Sequence, residues 1–325
     1  MPIKSEADLP FVSVIVPAFN SARTLPDVLA ALQAQDYPRP LFEVLVVDNG
    51  STDQTAAVVQ SNGYTPIQIP ARPVGAARNH GAKLAKGSIL AFLDSDCIPH
   101  PDWIQAGVTS IGAEPCITGA PYLQPDSRTW IHDAWFSQRG TGRRNVKLIN
   151  SGNLFVRHAD FTELGGFDET LQSGEDSEFC LRAASLRAVI ADDTIRVVHL
   201  GDPKTLGEFC RREIWYGIGA FGSAKEKTFD KPLIATIVFA TSSLLQLFGL
   251  LLLAFSSGSR VGAAALTAGS IGAMFVVVGT VLYRVLQYRN WRQVPGLLLL
   301  YYFYYLCRTF SFYYVLTGRR YYHRR

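Results

Sequence analysis

No Cys-x-x-Cys pair occurs in this chain, whose five cysteines are scattered at positions 97, 116, 180, 210 and 307. An odd, dispersed set excludes a zinc ribbon and argues against a disulfide framework, so a reduced, cytoplasmic domain is expected. A strong charge excess is also missing: the formal net charge is only +4, and no nucleic-acid partner is implied. There is no glycine-rich loop carrying the lysine of a P-loop. No basic-then-apolar leader opens the sequence, because residues 1–10 are polar and mixed in charge. The front of the protein is therefore expected to stay in the cytosol. The most informative absence is of charge itself. Residues 232–255 and 261–283 contain not one Asp, Glu, Lys or Arg.

Both uncharged stretches are long enough to span a bilayer, which takes roughly 20 apolar residues. Arg260 alone lies between them, whereas Arg284, Arg289 and Arg292 follow the second. The positive-inside rule then keeps the preceding part of the chain in the cytoplasm. Residues 201–231 carry six Lys/Arg, including Arg211, Arg212, Lys225 and Lys231, and read as a juxtamembrane amphipathic connector facing a membrane surface. A third apolar segment, 294–318, has the length of a span but holds Arg308 and many aromatics. A full crossing would also place Arg319, Arg320, Arg324 and Arg325 outside, against the rule. We read it as lying in or partly entering the inner interface. The expected location is the inner (plasma) membrane, multi-pass, with domains at 1–200, 201–231 and 232–325.

At 325 residues the chain has room for one or two domains and a sizeable core. Residues 11 to about 200 alternate between strand and helix patterns. Phe11 to Val16 is a β-branched run halted by Pro17, and Leu25, Val28, Leu29 and Leu32 recur at helical spacing. Val44 to Val47 make the next strand, ending in the turn Asp48-Asn49-Gly50-Ser51-Thr52-Asp53. Ile67 to Ile69, an Ala-rich helix over 76–85 and a strand at 88–93 continue the pattern. Such repetition predicts a largely parallel sheet with ligands at the carboxyl ends of its strands. Asp48 and Asp94 both fall at such ends.

Two acidic groups stand out on this scaffold. Asp94-Ser95-Asp96 follows an apolar run directly, and a carboxylate pair suits a hard divalent cation shared with a phosphorylated substrate. Arg78, one helix upstream, could meet a diphosphate bidentately or make a surface ion pair. Glu175-Asp176 could supply a general base, or could serve the first turn of a helix from Ser177 to Leu186 as cap and dipole partner. His199, after a strand at 195–198, is either a metal ligand or a packed histidine.

Taken together, Val12-Ser13-Val14-Ile15-Val16-Pro17-Ala18-Phe19-Asn20, Val46-Val47-Asp48-Asn49-Gly50-Ser51-Thr52-Asp53 and Gly75-Ala76-Ala77-Arg78-Asn79 form an ordered motif set. Phe92-Leu93-Asp94-Ser95-Asp96, Gly165-Gly166-Phe167-Asp168-Glu169 and Gly174-Glu175-Asp176 complete it. In order and spacing this set resembles the family 2 glycosyltransferases over about residues 11–220. The tail resembles membrane-anchored bacterial members that build polysaccharide or glycolipid. The resemblance implies an α/β GT-A fold, Rossmann-like with a mostly parallel sheet, followed by C-terminal transmembrane helices. It implies an inverting transfer of one sugar from a nucleoside diphosphate sugar to a lipid-linked or glycan acceptor at the membrane, in cell-envelope or exopolysaccharide synthesis. By position, Pro17, Ala18, Phe19, Asp48 and Asn49 would line the base pocket, and Arg78 would approach the diphosphate. Asp94 would contact the ribose or sugar, Asp96 would hold Mn2+ or Mg2+ with His199 as a further ligand, and Asp176 would be the general base.

Two departures shape that expectation. Asn49 stands where many members carry a second aspartate, which leaves thymidine and guanosine donors open beside uridine. Arg211-Arg212-Glu213-Ile214-Trp215 only partly matches the Gln-x-x-Arg-Trp motif of processive synthases, favouring a single transfer. A nucleotidyltransferase would use a similar sheet and metal but leaves the apolar hairpin unexplained. A membrane-tethered, non-catalytic sugar-nucleotide binder would not need both Asp96 and Asp176. A transporter is disfavoured, because the apolar stretches hold no acidic residue to line a polar pathway.

Overall fold

The computed structural model describes residues 9–112, 116–136, 142–222, 231–256 and 258–317. Lys225 of the basic connector and the arginines at 319, 320, 324 and 325 lie outside the described residues. The chain divides into two compact units, residues 1–126 with 140–202, and residues 127–139 with 203–324. Segment 127–139 groups with the second unit although its neighbours in sequence belong to the first.

The first unit is an α/β layer structure. Its strands are β1 (Val12–Ala18), β2 (Phe42–Asp48), β3 (Ile67–Gln68), β4 (Ile89–Leu93), β5 (Cys97–Pro99), β6 (Cys116–Gly119), β7 (Arg144–Asn145), β8 (Asn153–Arg157), β9 (Ala188–Ala191) and β10 (Val197–His199). The helices between them are α1 (Leu25–Gln33), α2 (Thr55–Ser61), α3 (Val74–Leu84), α4 (Trp103–Ile111), α5 (His158–Glu163) and α6 (Glu175–Ala183). Eight strands form one sheet in the order β3-β2-β1-β4-β8-β6-β9-β7, and β5 pairs with β10 in a second. Pairs β1–β2, β1–β4, β2–β3 and β6–β9 are parallel. β8 and β7 run antiparallel to their neighbours, so the sheet is mixed but mostly parallel. This is the predicted fold class.

All seven residues of β1 are buried, because helices cover both faces of the sheet. Val12, Val14 and Val16 pack with Leu25, Val28, Leu29, Leu32, Trp103 and Ile104 on one face. Ile15, Leu90 and Phe92 pack with Phe161, Phe167 and Phe179 on the other. Pro17 does not halt β1 as its sequence suggests: the strand runs on to Ala18, paired with Asp48. Pairing with β4 ends at Ile15, so a missing N–H at Pro17 breaks no ladder bond on that side.

The second unit is helical, with α7 (Leu206–Gly222), α8 (Lys231–Phe255), α9 (Arg260–Tyr288) and α10 (Val294–Thr317). Two helices, Pro232–Phe255 and Arg260–Tyr288, are long and apolar enough to cross a membrane. The third apolar segment forms α10, and its Arg308 does not stand alone: it reaches Glu213 of α7 at 3.1 Å. Ser311 Oγ also donates to the Ile214 carbonyl. Segment 127–139 packs here through Ile131 and Ala134 against Phe209 and Leu300. The Arg284 guanidinium lies 4.9 Å over the Trp135 ring.

Close approach of β6 and β8 depends on Gly119, where a Cβ would lie 2.0 Å from the Asn153 carbonyl oxygen. Gly119→Ala should therefore cost about 1–3 kcal/mol, the usual range for overpacking a full core. Thermal melting checks it, and an unchanged midpoint would contradict the contact.

Candidate active site

From β1 the chain passes to β2 on one side, and from its other neighbour β4 it passes to β6 on the far side, so the connections leave these two strand ends in opposite directions. That divergence opens a crevice at the strand ends. Cross-links close its floor. The Ser21 hydroxyl lies 2.8 Å from the Ser95 hydroxyl, and Thr24 Oγ1 donates to the Ser95 carbonyl at 2.8 Å. Asn20, at φ +50°, accepts from the Thr52 N–H, joining the loops after β1 and β2.

On the β2 side of the crevice, Pro17 and Ala18 are buried strand residues, while the Phe19 ring stands 45% exposed at the strand's end. Asp48 is buried and accepts from the Ser51 N–H. Asn49 is locked by two bonds to the backbone of Arg72: Nδ2 donates to its carbonyl at 2.7 Å and Oδ1 accepts its N–H at 3.0 Å. An aspartate would lack the first of these donors, so Asn49 shapes the wall by pinning the loop at 72.

Past the end of β4 lies an acidic cluster organised by one cation. Arg78 projects from α3 and is 3% exposed. Its NH2 meets Asp94 Oδ1 at 2.6 Å and its NH1 meets Glu175 Oε1 at 2.7 Å. Ser151 Oγ donates to the same Glu175 oxygen at 3.3 Å. The guanidinium thus ties the Asp94 strand end to the start of α6. That helix begins at Glu175, two residues before the predicted Ser177, because Gly174 turns the chain at φ +83°. Asp176 consequently sits in the first helical turn and does not cap it: no side-chain cap bond is made at this end. Its Oδ1 accepts from the Ser177 N–H at 2.7 Å. Burial and the Glu175 charge raise its pKa to about 6, against the opposing pull of the Ser177 N–H and Arg78.

The next residues of the acidic loop face β10. Asp96 Oδ1 is 3.5 Å from His199 Nε2. His199 lies within β10, one residue beyond the predicted strand, and its N–H donates to the Leu123 carbonyl. Burial opposes a charged ring, yet the Asp202 and Asp96 carboxylates outweigh it and raise the His199 pKa to about 9. Asp96, Cys97 and His199 offer ligand atoms all within 4.8 Å of one another. Burial and the nearby Asp96, Asp94 and Asp202 carboxylates push the Cys97 thiol well above its ordinary pKa, so it stays protonated. A carboxylate and an imidazole remain, and this oxygen–nitrogen pair fits a divalent cation. Gly201 leaves the space beside them open, since a Cβ there would lie 2.2 Å from Asp96 Oδ2.

The ten expected site residues fall into three local groups: Pro17, Ala18, Phe19, Asp48 and Asn49; Arg78, Asp94 and Asp176; Asp96 and His199. Glu175 as the second partner of Arg78 was not anticipated, nor were Gly152, Gly201 and Asp202. Gly152 has no room for a side chain, because a Cβ would meet Asp94 Oδ2 at 2.4 Å. The Gly201-Asp202-Pro203 turn after His199 was the available sequence signal. The Gly165-Gly166-Phe167-Asp168 turn is structural here: Asn79 brackets Phe167, donating to its carbonyl and accepting its N–H.

An eight-stranded mixed sheet with an acidic loop at its switch point is the GT-A arrangement of glycosyltransferases. The fold aligns with a mannosyltransferase from Pyrobaculum calidifontis solved in complex with GDP-Man and Mn2+, at TM-score 0.59 and 20% identity, covering 98% of this chain and 90% of that one. The profile of glycosyl transferase family 2 matches residues 13–162. Glycosyltransferase AglE of Haloferax volcanii is 34% identical over 227 residues, 65% of this chain and 73% of AglE. A pre-mycofactocin glycosyltransferase of Mycobacterium tuberculosis is 25% identical over 222 residues, and the alignment covers only 46% of its length. The chain belongs to glycosyl transferase family 2.

Removing the central cation would leave Asp94 and Glu175 facing each other uncompensated. Arg78→Met should cost about 3–5 kcal/mol, the usual penalty for breaking a buried pair from one side. A melting temperature within a degree or so of wild type would refute the buried tie.

Proposed function

We propose that the protein is an inverting glycosyltransferase that moves one sugar from a nucleoside diphosphate sugar to the hydroxyl of a membrane-associated acceptor, lipid-linked or glycan, in cell-envelope or exopolysaccharide synthesis. The observation that carries the proposal is the arrangement around Arg78: it holds Asp94 and Glu175 together and leaves Asp176 with a pKa poised near 6. In this reading Phe19, Pro17 and Ala18 receive the base, with Asp48 and Asn49 framing its edge. Asp94 orients the ribose or sugar, its Oδ1 already fixed by Arg78. Arg78 would approach the diphosphate, while its bonds to Asp94 and Glu175 hold the acidic loop still.

Asp176 takes the proton of the acceptor hydroxyl as that oxygen attacks the anomeric carbon from the face opposite the diphosphate, and the configuration inverts. A single catalytic carboxylate suffices, because diphosphate leaves without protonation, unlike the alkoxide of a glycosidase reaction. Asp96 and His199 would hold the divalent cation, Mn2+ or Mg2+. When bound, it supplies charge neutralisation to the departing diphosphate.

α8 and α9 would cross the inner membrane as a hairpin. The arginines at 284, 289 and 292 and the N-terminal α/β unit would lie on the cytoplasmic side. Pairing of Arg308 with Glu213 supports an interfacial place for α10, since neither charge then faces lipid alone.

Four measurements test these assignments. Nucleoside diphosphate binding, followed by calorimetry, should weaken strongly in chelator and in Asp96→Ala; equal affinity in all conditions removes the cation from the scheme. Asp176→Asn should fold and bind donor while turnover falls by roughly 10²–10⁴-fold, the usual worth of a general base. The wild-type rate should decline as pH falls through about 6, because Asp176 accepts a proton only when ionised. A near-native Asn variant, or a flat profile from pH 5 to 7, ends that role. Impermeant thiol labelling of intact cells should modify Ser256→Cys but not Asn290→Cys in a cysteine-free background. The reverse pattern would invert the topology.

A further inference from the structure

We propose that Asp202 is the positioning residue that orients His199 for cation binding, an inference that rests on the cation site proposed above. An imidazole can carry its proton on either nitrogen, and only the bare nitrogen can ligate. His199 Nδ1 lies 3.0 Å from Asp202 Oδ1, while Nε2 lies 3.5 Å from Asp96 Oδ1. The two ring nitrogens therefore lie beside different carboxylates. When a cation takes the place of the Nε2 proton, a carboxylate at Nδ1 keeps the remaining proton there and leaves the Nε2 lone pair on the side of Asp96.

Everything around the ring limits its rotation. Tyr122 stacks on it at 4.7 Å between centroids and 17° between planes. The Asp202 side chain is only 4% exposed, and its other oxygen, Oδ2, is within 3.5 Å of the Gln124 Nε2 donor. The backbone adds two fixed points: His199 N donates to the Leu123 carbonyl at 3.2 Å and Leu200 N donates to the Asp96 carbonyl at 2.8 Å. Gly201 lets the chain turn between His199 and Asp202 while passing close to Asp96 Oδ2, where no Cβ fits. The three-residue step from His199 to Asp202 thus delivers a carboxylate to the back of the imidazole. Carboxylates placed behind a ligating histidine fix its tautomer, and losing one typically weakens metal affinity 10–100-fold.

The test uses the full chain in detergent, with Mn2+ alone as probe, titrated by electron paramagnetic resonance. Wild type is compared with Asp202→Asn, Asp202→Ala and His199→Ala. Histidine labelled with ¹⁵N reports the tautomer in the metal-free proteins at alkaline pH, where the ring is neutral, a signal that a merely structural carboxylate would not move. Asp202→Asn keeps the shape and removes the charge, so it serves even if the Ala variant does not fold. We expect Asp202→Asn to weaken Mn2+ binding by about 10-fold or more, with loss of a single Nδ1–H signature at His199. Wild-type Mn2+ affinity or an unchanged His199 tautomer in Asp202→Asn, beside weakened binding in His199→Ala, overturns the role of Asp202 and leaves the cation site standing. Wild-type affinity in His199→Ala overturns the cation site itself, and the role of Asp202 with it.

Discussion

The buried guanidinium of Arg78 is the constraint on which the rest of the first unit's site depends. A charge removed from water needs compensation within hydrogen-bonding reach, or its burial costs several kcal/mol. Here compensation comes from two carboxylates on different elements, one at the end of β4 and one at the start of α6. The pairing therefore does more than neutralise: it sets the distance between a strand end and a helix start that share no backbone bond. Two carboxylates against one cation also leave an excess of negative charge. Burial first, and the Glu175 charge second, make the neighbouring Asp176 harder to ionise than an ordinary aspartate.

The second constraint is space. Gly152 and Gly201 each stand where a side chain would collide with a carboxylate of the acidic loop, Asp94 in one case and Asp96 in the other. Neither glycine is chosen for an unusual backbone angle. Each lets main chain pass close beside a carboxylate without displacing it. Gly119 does the same for β6 and β8, one step further from the crevice. The acidic loop is therefore held electrostatically by Arg78 and framed sterically by glycines on neighbouring segments.

The helical unit answers a different question, why an arginine and a glutamate occur among apolar and aromatic residues. Glu213 is 3% exposed and Arg308 lies 3.1 Å away on another helix. Trp135, Tyr301 and Tyr304 gather around neighbouring positions, with Arg284 and Arg308 over their rings. Charge in such surroundings survives by pairing with an opposite charge or a ring face. No periodicity in α7 or α10 names the partner, because the two residues are separated by 95 positions.

Much of the fold was legible in the sequence, because burial on both faces of a sheet imposes unbroken apolar runs and strand ends impose turn chemistry. Val12 to Val16, Val46-Val47-Asp48 and Leu93-Asp94 announced strands and their carboxyl ends, and the uncharged runs after 231 announced two long apolar helices. The motif order announced the family. Local pattern could not show that Arg78 would be enclosed by Asp94 and Glu175, since that contact joins residues 16 and 97 positions apart. Nor could it begin α6 at Glu175, because the left-handed turn at Gly174 and the pull of Arg78 act from outside the helix. The residue types at the crevice, and their positions at strand ends, were determined by the sequence alone. Which carboxylate is tied, which is left to titrate near 6, and which way the His199 ring faces were decided only by tertiary packing, because charge, burial and ring orientation depend on neighbours that the chain brings together from afar.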